Sequence, residues 1–184
     1  MKYELIPEDD KRLRTIVHNK HKITKNTEDL VYNMIMVMKK HDGIGLAAPQ
    51  LGVMERIFVI GHESTGYVVC INPTWERTQT AKLELFQEGC LSFPHLEMQV
   101  ERFNEVHCTF TNLKGETDTR LFTGVWAQAV QHETDHLDGM TFDKRVKTSV
   151  WQKANALRRE KIKNLQAHTP VSYTHLTLPT IREV

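Results

Sequence analysis

The residues with the most specific chemistry lie between positions 131 and 139, where the chain reads Gln-His-Glu-Thr-Asp-His-Leu-Asp-Gly. If this segment is helical, His132 and His136 stand one turn apart on one face and can bind the same metal ion. Glu133 lies beside them and can act as an acid or a base. The His-Glu-x-x-His pattern therefore indicates a hydrolytic metal centre.

A catalytic site of this kind uses three protein ligands and leaves one position for water. No histidine follows closely to complete the set, since the next ones are His168 and His175. Upstream, Cys90 follows Gly89 at the end of a predicted strand and outside any apolar run. On the residues alone, Cys90 is either the third ligand or a structural cysteine.

Three segments together resemble the polypeptide deformylase family, whose members remove the N-formyl group from new bacterial and organellar proteins. The patterns are GxGxAAxQ at 43–50, EGCLS at 88–92 and QHExDHLxG at 131–139, all present in that order. The resemblance extends from about Tyr3 to about Asn164. It implies an enzyme, a metal-dependent hydrolase acting on a linear amide.

The resemblance also implies a role for particular residues. The metal ligands would be Cys90, His132 and His136, and water bound to the ion would be the nucleophile. Glu133 would be the general base and then the general acid. The side-chain amide of Gln50 and the backbone N–H of Leu91 would stabilise the charge that develops on the formyl oxygen.

By the same resemblance, the substrates are nascent peptides that begin with N-formyl-Met. Their first side chain would bind against Ile44, Gly45, Val125 and Ala129, together with the ring of His132. Gln128 is placed to reshape the mouth of this pocket. The native ion would be ferrous iron, with zinc, nickel or cobalt as alternatives.

Simpler interpretations of these residues remain open. Glu133 and Asp135 would be solvated helix residues if the histidines were absent, and Gln50 could bond only its own backbone. Gly45 could serve only a turn, and Arg102 is interpreted as a structural arginine on a surface strand. Two other functions also remain: a peptidase that cleaves internal bonds, and a metal-binding relative without activity.

Composition limits the class of protein. The chain has 184 residues, 40% of them hydrophobic and 26% charged, which suits one globular domain, predicted to span residues 1–166. A net charge of +1 gives no electrostatic case for DNA. The sequence shows no secretory signal or membrane span, and its three cysteines suggest no disulfide framework, so a cytoplasmic location is expected. Cys70 and Cys108 are expected to be buried.

Periodicity predicts an α+β fold with mainly antiparallel sheets packed around a central helix that carries the His-Glu-x-x-His motif, followed by a C-terminal helix. A first helix is expected at Thr27–His41, capped by Asn26 or Thr27 and stopped by Gly43. The motif helix is expected at Val125–Leu137 and the last helix at Val150–Asn164. Strands are expected at 56–60, 67–72, 82–86, 98–102, 106–111 and 119–122, with a hairpin connection at 112–116.

Two C-terminal features lie outside this scheme. The tail, residues 167–184, has no counterpart in the family and is interpreted as cloning or read-through sequence outside the fold. The last helix is rich in basic residues, which form either a solvated face or a contact with ribosomal RNA. They are Lys153, Arg158, Arg159, Lys161 and Lys163.

Overall fold

The computed structural model of the chain describes residues 3–167. The predicted tail lies outside the described residues except for Ala167, and the domain boundary at 166 stays a prediction. The α-helices are α1 (Lys25–Lys40), α2 (Gly124–Leu137) and α3 (Thr148–Ala167). Short 3₁₀ helices occupy Lys11–Arg14, Ala48–Leu51 and Phe142–Arg145.

The strands form two antiparallel sheets. They are β1 (Gly45–Ala47), β2 (Ile57–His62), β3 (Gly66–Arg77), β4 (Leu83–Cys90), β5 (Phe93–Phe103), β6 (Glu105–Thr111) and β7 (Thr117–Thr123). Five of them form a sheet in the order β1-β2-β3-β6-β7, and β4 and β5 form a separate two-stranded sheet. The predicted α+β class is confirmed. The predicted hairpin connection joins β6 to β7, whereas β1 was not predicted.

Helix α2 occupies the centre of the molecule. It packs against β1, β2, β3, β5, β6 and β7. The buried side of β6 presents Val106, Cys108 and Phe110 to a core that also contains Val130 of α2. A helix that is buried on most of its circumference needs apolar or internally bonded side chains. The polar residues of the motif must therefore find partners inside the protein.

Both ends of α1 differ from the prediction. The N-cap is Thr24 rather than Asn26 or Thr27, and Thr24 and Thr27 bond each other's main chain in a reciprocal capping box. At the other end, Asp42 adopts φ 53°. Its N–H donates to the carbonyl of Lys39, and that of Gly43 donates to Met38, which is a Schellman arrangement.

The left-handed residue that ends α1 is therefore Asp42 and not Gly43, which was expected to stop the helix. A Cβ atom at position 43 would lie 2.7 Å from Cδ1 of Leu91, so the missing side chain gives room for that leucine. The close approach brings the end of α1 against the segment that follows Cys90.

Cys70 and Cys108 are fully buried, as predicted, and both belong to the core between the larger sheet and α2. Among residues 3–167, no helix has the length and apolar character needed to cross a membrane.

Candidate metal and active site

Three soft or borderline donors converge from two separate elements. Helix α2 places the rings of His132 and His136 one turn apart, with centroids 5.1 Å from each other. Cys90 is the last residue of β4, and its Sγ lies 3.3 Å from Nε2 of His136. One donor atom from each residue lies within 4.8 Å of the other two. The three predicted metal ligands are thus brought together.

The donor set fits a divalent transition-metal ion. The Nδ1 atom of His132 bonds Oε2 of Glu88 at 2.9 Å, which leaves Nε2 free for a metal. Although burial opposes it, hydrogen bonds to Cys90 and Glu88 raise the pKa of His132 well above its ordinary value. Burial lowers the pKa of His136 well below its ordinary value. His136 is therefore neutral near pH 7, the form that can bind a metal, and a bound cation would supply the positive charge that His132 favours beside the thiol.

Glu133 is enclosed next to these donors. Its side chain is buried, and its Oε2 has no hydrogen-bond partner among the described residues. Burial raises the pKa of this carboxyl to about 7. The interpretation of Glu133 and Asp135 as solvated helix residues is wrong, because both are almost completely buried.

Gly45 makes room for this carboxylate. A Cβ atom at position 45 would lie 2.3 Å from Oε1 of Glu133 and 2.9 Å from its Cδ. The glycine is required by the close approach of β1 to α2 rather than by a turn, since it is not among the glycines with positive φ.

The side chain of Gln50 has two functions at once. Its Oε1 accepts a hydrogen bond from the backbone N–H of Ala47 at 2.8 Å. This bond fixes the amide plane, so that Nε2 donates to Oγ of Ser92 at 3.1 Å and approaches Sγ of Cys90 at 3.6 Å. From the sequence, a hydrogen bond between Gln50 and the local backbone remained an open alternative. That bond is present, and it orients the amide of Gln50 towards Cys90. Ser92 was missed, although it belongs to the EGCLS segment.

A buried ion-pair network supports His132. Arg102 donates from Nε to Oε1 of Glu88 at 2.7 Å and from Nη1 to Oδ2 of Asp135 at 2.6 Å. The placement of Arg102 on a surface strand is wrong, because it is only 3% exposed. Glu88 was also missed as a functional residue. Its position in the EGCLS segment, at the end of a strand, could have indicated its role.

A cleft with a volume of about 440 Å³ opens beside these groups. The residues predicted to bind substrate, Ile44, Gly45, Val125 and Ala129, all line it, and so do Gln128 and Leu91. Ile44 and Val125 are partly exposed, so the cleft offers apolar surface next to the donor cluster.

Comparisons of the sequence with known proteins indicate the family of this chain. The model of the polypeptide deformylase family matches residues 2–151. The chain belongs to the polypeptide deformylase family. The peptide deformylase of Desulforudis audaxviator is 38% identical over 146 residues, covering 79% of this chain and 94% of the relative. That of Synechocystis sp. is 34% identical over 167 residues, covering 89% of this chain and 88% of the relative.

Solved deformylases share the fold. The crystal structure of the Synechococcus elongatus peptide deformylase in complex with actinonin has a TM-score of 0.80 and 34% identity, with 86% of each chain covered. The Legionella pneumophila peptide deformylase has a TM-score of 0.78 and 30% identity, covering 90% of this chain and 98% of that one. The prediction that the chain is an enzyme is confirmed, because peptide deformylases are hydrolases.

Arg158 is the exception among the basic residues of α3 in this deformylase, since Lys153, Arg159, Lys161 and Lys163 are all exposed. Arg158 is 13% exposed, and it donates to the carboxylate of Glu8 and, from Nε, to the carbonyl of Pro94 at 2.9 Å. Nζ of Lys161 lies 4.0 Å from Glu97. Arg158 therefore serves inside the fold, connecting α3 to the N-terminal segment and the rim of the cleft.

Proposed function

We propose that this chain removes the formyl group from the N-terminal formyl-methionine of newly synthesised polypeptides in the cytoplasm, releasing formate. The observation that carries this proposal is the convergence of one thiol and two imidazoles beside an enclosed, unpartnered carboxylate at a cleft. Hydrolysis of an amide needs an activated water, a proton acceptor and donors for a developing oxyanion, and residues of suitable chemistry surround this cleft.

Cys90, His132 and His136 would hold a divalent ion. Such an ion would polarise the formyl carbonyl and would make water acidic enough to lose a proton near neutral pH. From the family resemblance we infer that the native ion is ferrous iron, with zinc, nickel or cobalt as alternatives. A thiolate among the donors favours any of these ions over magnesium or calcium.

Glu133 would move the proton. Its enclosed carboxylate has a pKa near 7, so it can accept a proton from the attacking water and release it again at neutral pH. The formyl carbon gains a bond to the water oxygen and loses its bond to the peptide nitrogen. The proton held by Glu133 passes to that nitrogen, giving formate and a free amino terminus.

Gln50 and Leu91 would stabilise the formyl oxygen as it becomes negative. The amide of Gln50 is held rigidly through Ala47, and Leu91 directly follows Cys90, so its N–H lies next to the donor cluster. A rigid donor costs no reorganisation during the reaction, and one such group typically contributes about 10²- to 10³-fold to the rate.

The substrate backbone would bind along β1. This strand is at one edge of the five-stranded sheet, and Gly45 at its start lines the cleft. An edge strand offers unpaired backbone groups to an extended peptide. The first side chain of that peptide would then enter the region formed by Ile44, Val125, Ala129 and the ring of His132.

This pocket should select an apolar first residue. We expect kcat/KM for a formyl-Met peptide to exceed that of the matched formyl-Asp peptide by more than about 100-fold, because the apolar side chains of the pocket cannot replace the water that a carboxylate loses. The two peptides should differ only at the first residue and be compared by release of formate. Equal turnover would contradict the apolar pocket.

The close approach of Gly45 to Glu133 gives a second prediction. In Gly45→Ala, the new methyl group should displace the carboxylate, and we expect kcat to fall at least about tenfold with a smaller change in KM. Gly115→Ala is a control for a glycine with open space around it, although its φ of 83° adds local strain. Full activity of Gly45→Ala would show that Glu133 does not need its present position.

An anaerobic assay of formyl-Met-Ala-Ser on iron-loaded protein tests the proposed function directly. Formate release with no cleavage of an unformylated peptide supports a deformylase, whereas cleavage of internal bonds favours a peptidase. Metal binding without either activity would indicate a metal-binding relative.

Contact with the ribosome would bring the enzyme to its substrates. The exposed basic residues of α3 remain candidates for binding ribosomal RNA, in contrast to Arg158, which is bonded within the fold. They are Lys153, Arg159, Lys161 and Lys163. Binding to ribosomes that weakens steeply with rising salt would support this part of the proposal. Salt-independent binding would contradict it.

A further inference from the structure

The segment that follows α2 packs against His132. It forms the 3₁₀ helix Phe142–Arg145, and its Phe142 is 1% exposed. The ring of Phe142 lies 5.8 Å from that of His132 and 5.7 Å from that of Phe93. The imidazole of His132 therefore packs against Phe142, an aromatic residue outside the motif helix.

The last residue of this 3₁₀ helix begins a chain of charged contacts. Arg145 donates from Nε to Oδ2 of Asp135 at 3.0 Å, and its Nη2 bonds Oδ1 of the same carboxylate. Such a two-point contact fixes the orientation of both groups more strongly than a single bond. The side chain of Arg145 is 42% exposed, whereas that of Asp135 is 7% exposed.

The contacts continue from Asp135 to the metal ligand. Oδ2 of Asp135 also accepts from Arg102, which holds Glu88 through Nε at 2.7 Å and through Nη2 at 3.1 Å. The second oxygen of Glu88 bonds Nδ1 of His132 at 2.9 Å. Each of these links from Asp135 to His132 is between buried side chains, so water cannot replace a lost partner there without rearrangement.

Charge explains why the outermost arginine matters. Glu88 and Asp135 contribute two negative charges. Arg102 is the buried guanidinium that bonds both carboxylates. Arg145 supplies a second guanidinium, which bonds Asp135. Without it, Asp135 would compete with Glu88 for Arg102, and the bond that orients His132 would lose its support.

We propose that Arg145 is a positioning residue for His132, acting through Asp135, Arg102 and Glu88 to hold the imidazole ready for a metal ion. The inference rests on the proposed metal site. It makes the segment between α2 and α3 part of the machinery that retains the ion, although no atom of Arg145 reaches the cleft.

Binding of Co²⁺ to the metal-free protein provides a test that does not depend on activity. The affinity is measured by competition with a coloured chelator, and the thiolate-to-cobalt absorption reports the bond to Cys90. We expect Arg145→Met to weaken binding about tenfold, in the range seen for groups that support a ligand. Lys144→Met is the matched control, since Lys144 is 64% exposed and lies 3.6 Å from Asp143.

A double-mutant cycle separates positioning from general stability. If Arg145 acts through Asp135, Arg145→Met should add little to the loss caused by Asp135→Asn. Losses in Co²⁺ affinity that simply add would overturn the proposal. Should Asp135→Asn not fold, the comparison of Arg145→Met with Lys144→Met still decides, and equal affinities would overturn it.

Co²⁺ binding by the unaltered protein separates an error in the metal site from an error in the positioning role of Arg145. If it binds Co²⁺ without thiolate absorption, the proposed metal site itself is wrong. If it binds with that absorption and Arg145→Met binds equally well, the metal site stands and only the positioning role is wrong.

Discussion

Replacing Glu133 with alanine is expected to lower kcat/KM for a formylated peptide by about 10³- to 10⁴-fold while the protein still binds its metal ion. General acid–base groups contribute about 10²- to 10⁴-fold, and here one carboxylate would serve both proton transfers. Because Glu133 is not among the three converging donors, its loss should leave them in place. The measurement is steady-state formate release together with metal content per chain.

Two further variants sharpen this prediction. Glu133→Gln keeps the size of the side chain but cannot accept the proton, so it should be nearly as inactive as the alanine variant. Glu76→Gln, at an exposed position on β3, controls for the removal of one carboxylate. Activity of Glu133→Gln within a few-fold of the unaltered enzyme would exclude Glu133 as the base.

Replacing Cys90 with alanine should abolish tight metal binding. Supporting groups alone change metal affinity by about 10- to 100-fold, so removing a direct ligand should cost more than about 100-fold. Formate release should fall in proportion to the metal lost, and excess metal should restore little of it. Titration of metal-free protein with Zn²⁺ or Co²⁺ measures the change.

Cys108→Ala is the matched control, because Cys108 is also buried but lies in the core between the larger sheet and α2. It should reduce stability slightly and leave metal affinity unchanged. Equal metal affinity in Cys90→Ala and Cys108→Ala would disprove the assigned ligand set.

The main elements and the donor set could be predicted from the sequence, because both follow from short patterns. Periods of 2 and 3.6 residues revealed most strands and the helices, and each family motif keeps its residues within a few positions. Strand β1 has only three residues, and its pairing with β2 depends on a long-range contact that no local pattern records.

The support around His132 could not be predicted for a related reason. Arg102 and Asp135 are ordinary charged residues in a strand and a helix, and only the packing of β5 against α2 buries them together. Arg158 is similar, since its partner Glu8 is 150 positions away in the chain. Sequence patterns report which face of an element is apolar, but they do not report which charges meet across elements.

The separate sheet of β4 and β5 would give a bound metal ion a mechanical role. A two-stranded hairpin alone is only marginally stable in water, and this one is joined to α2 by buried ion pairs and by the thiol at its end. An ion bound to Cys90 and both histidines would link the β4–β5 hairpin to α2. When the ion leaves, the hairpin should be where local opening begins, exposing its amides to solvent exchange before the larger sheet loosens.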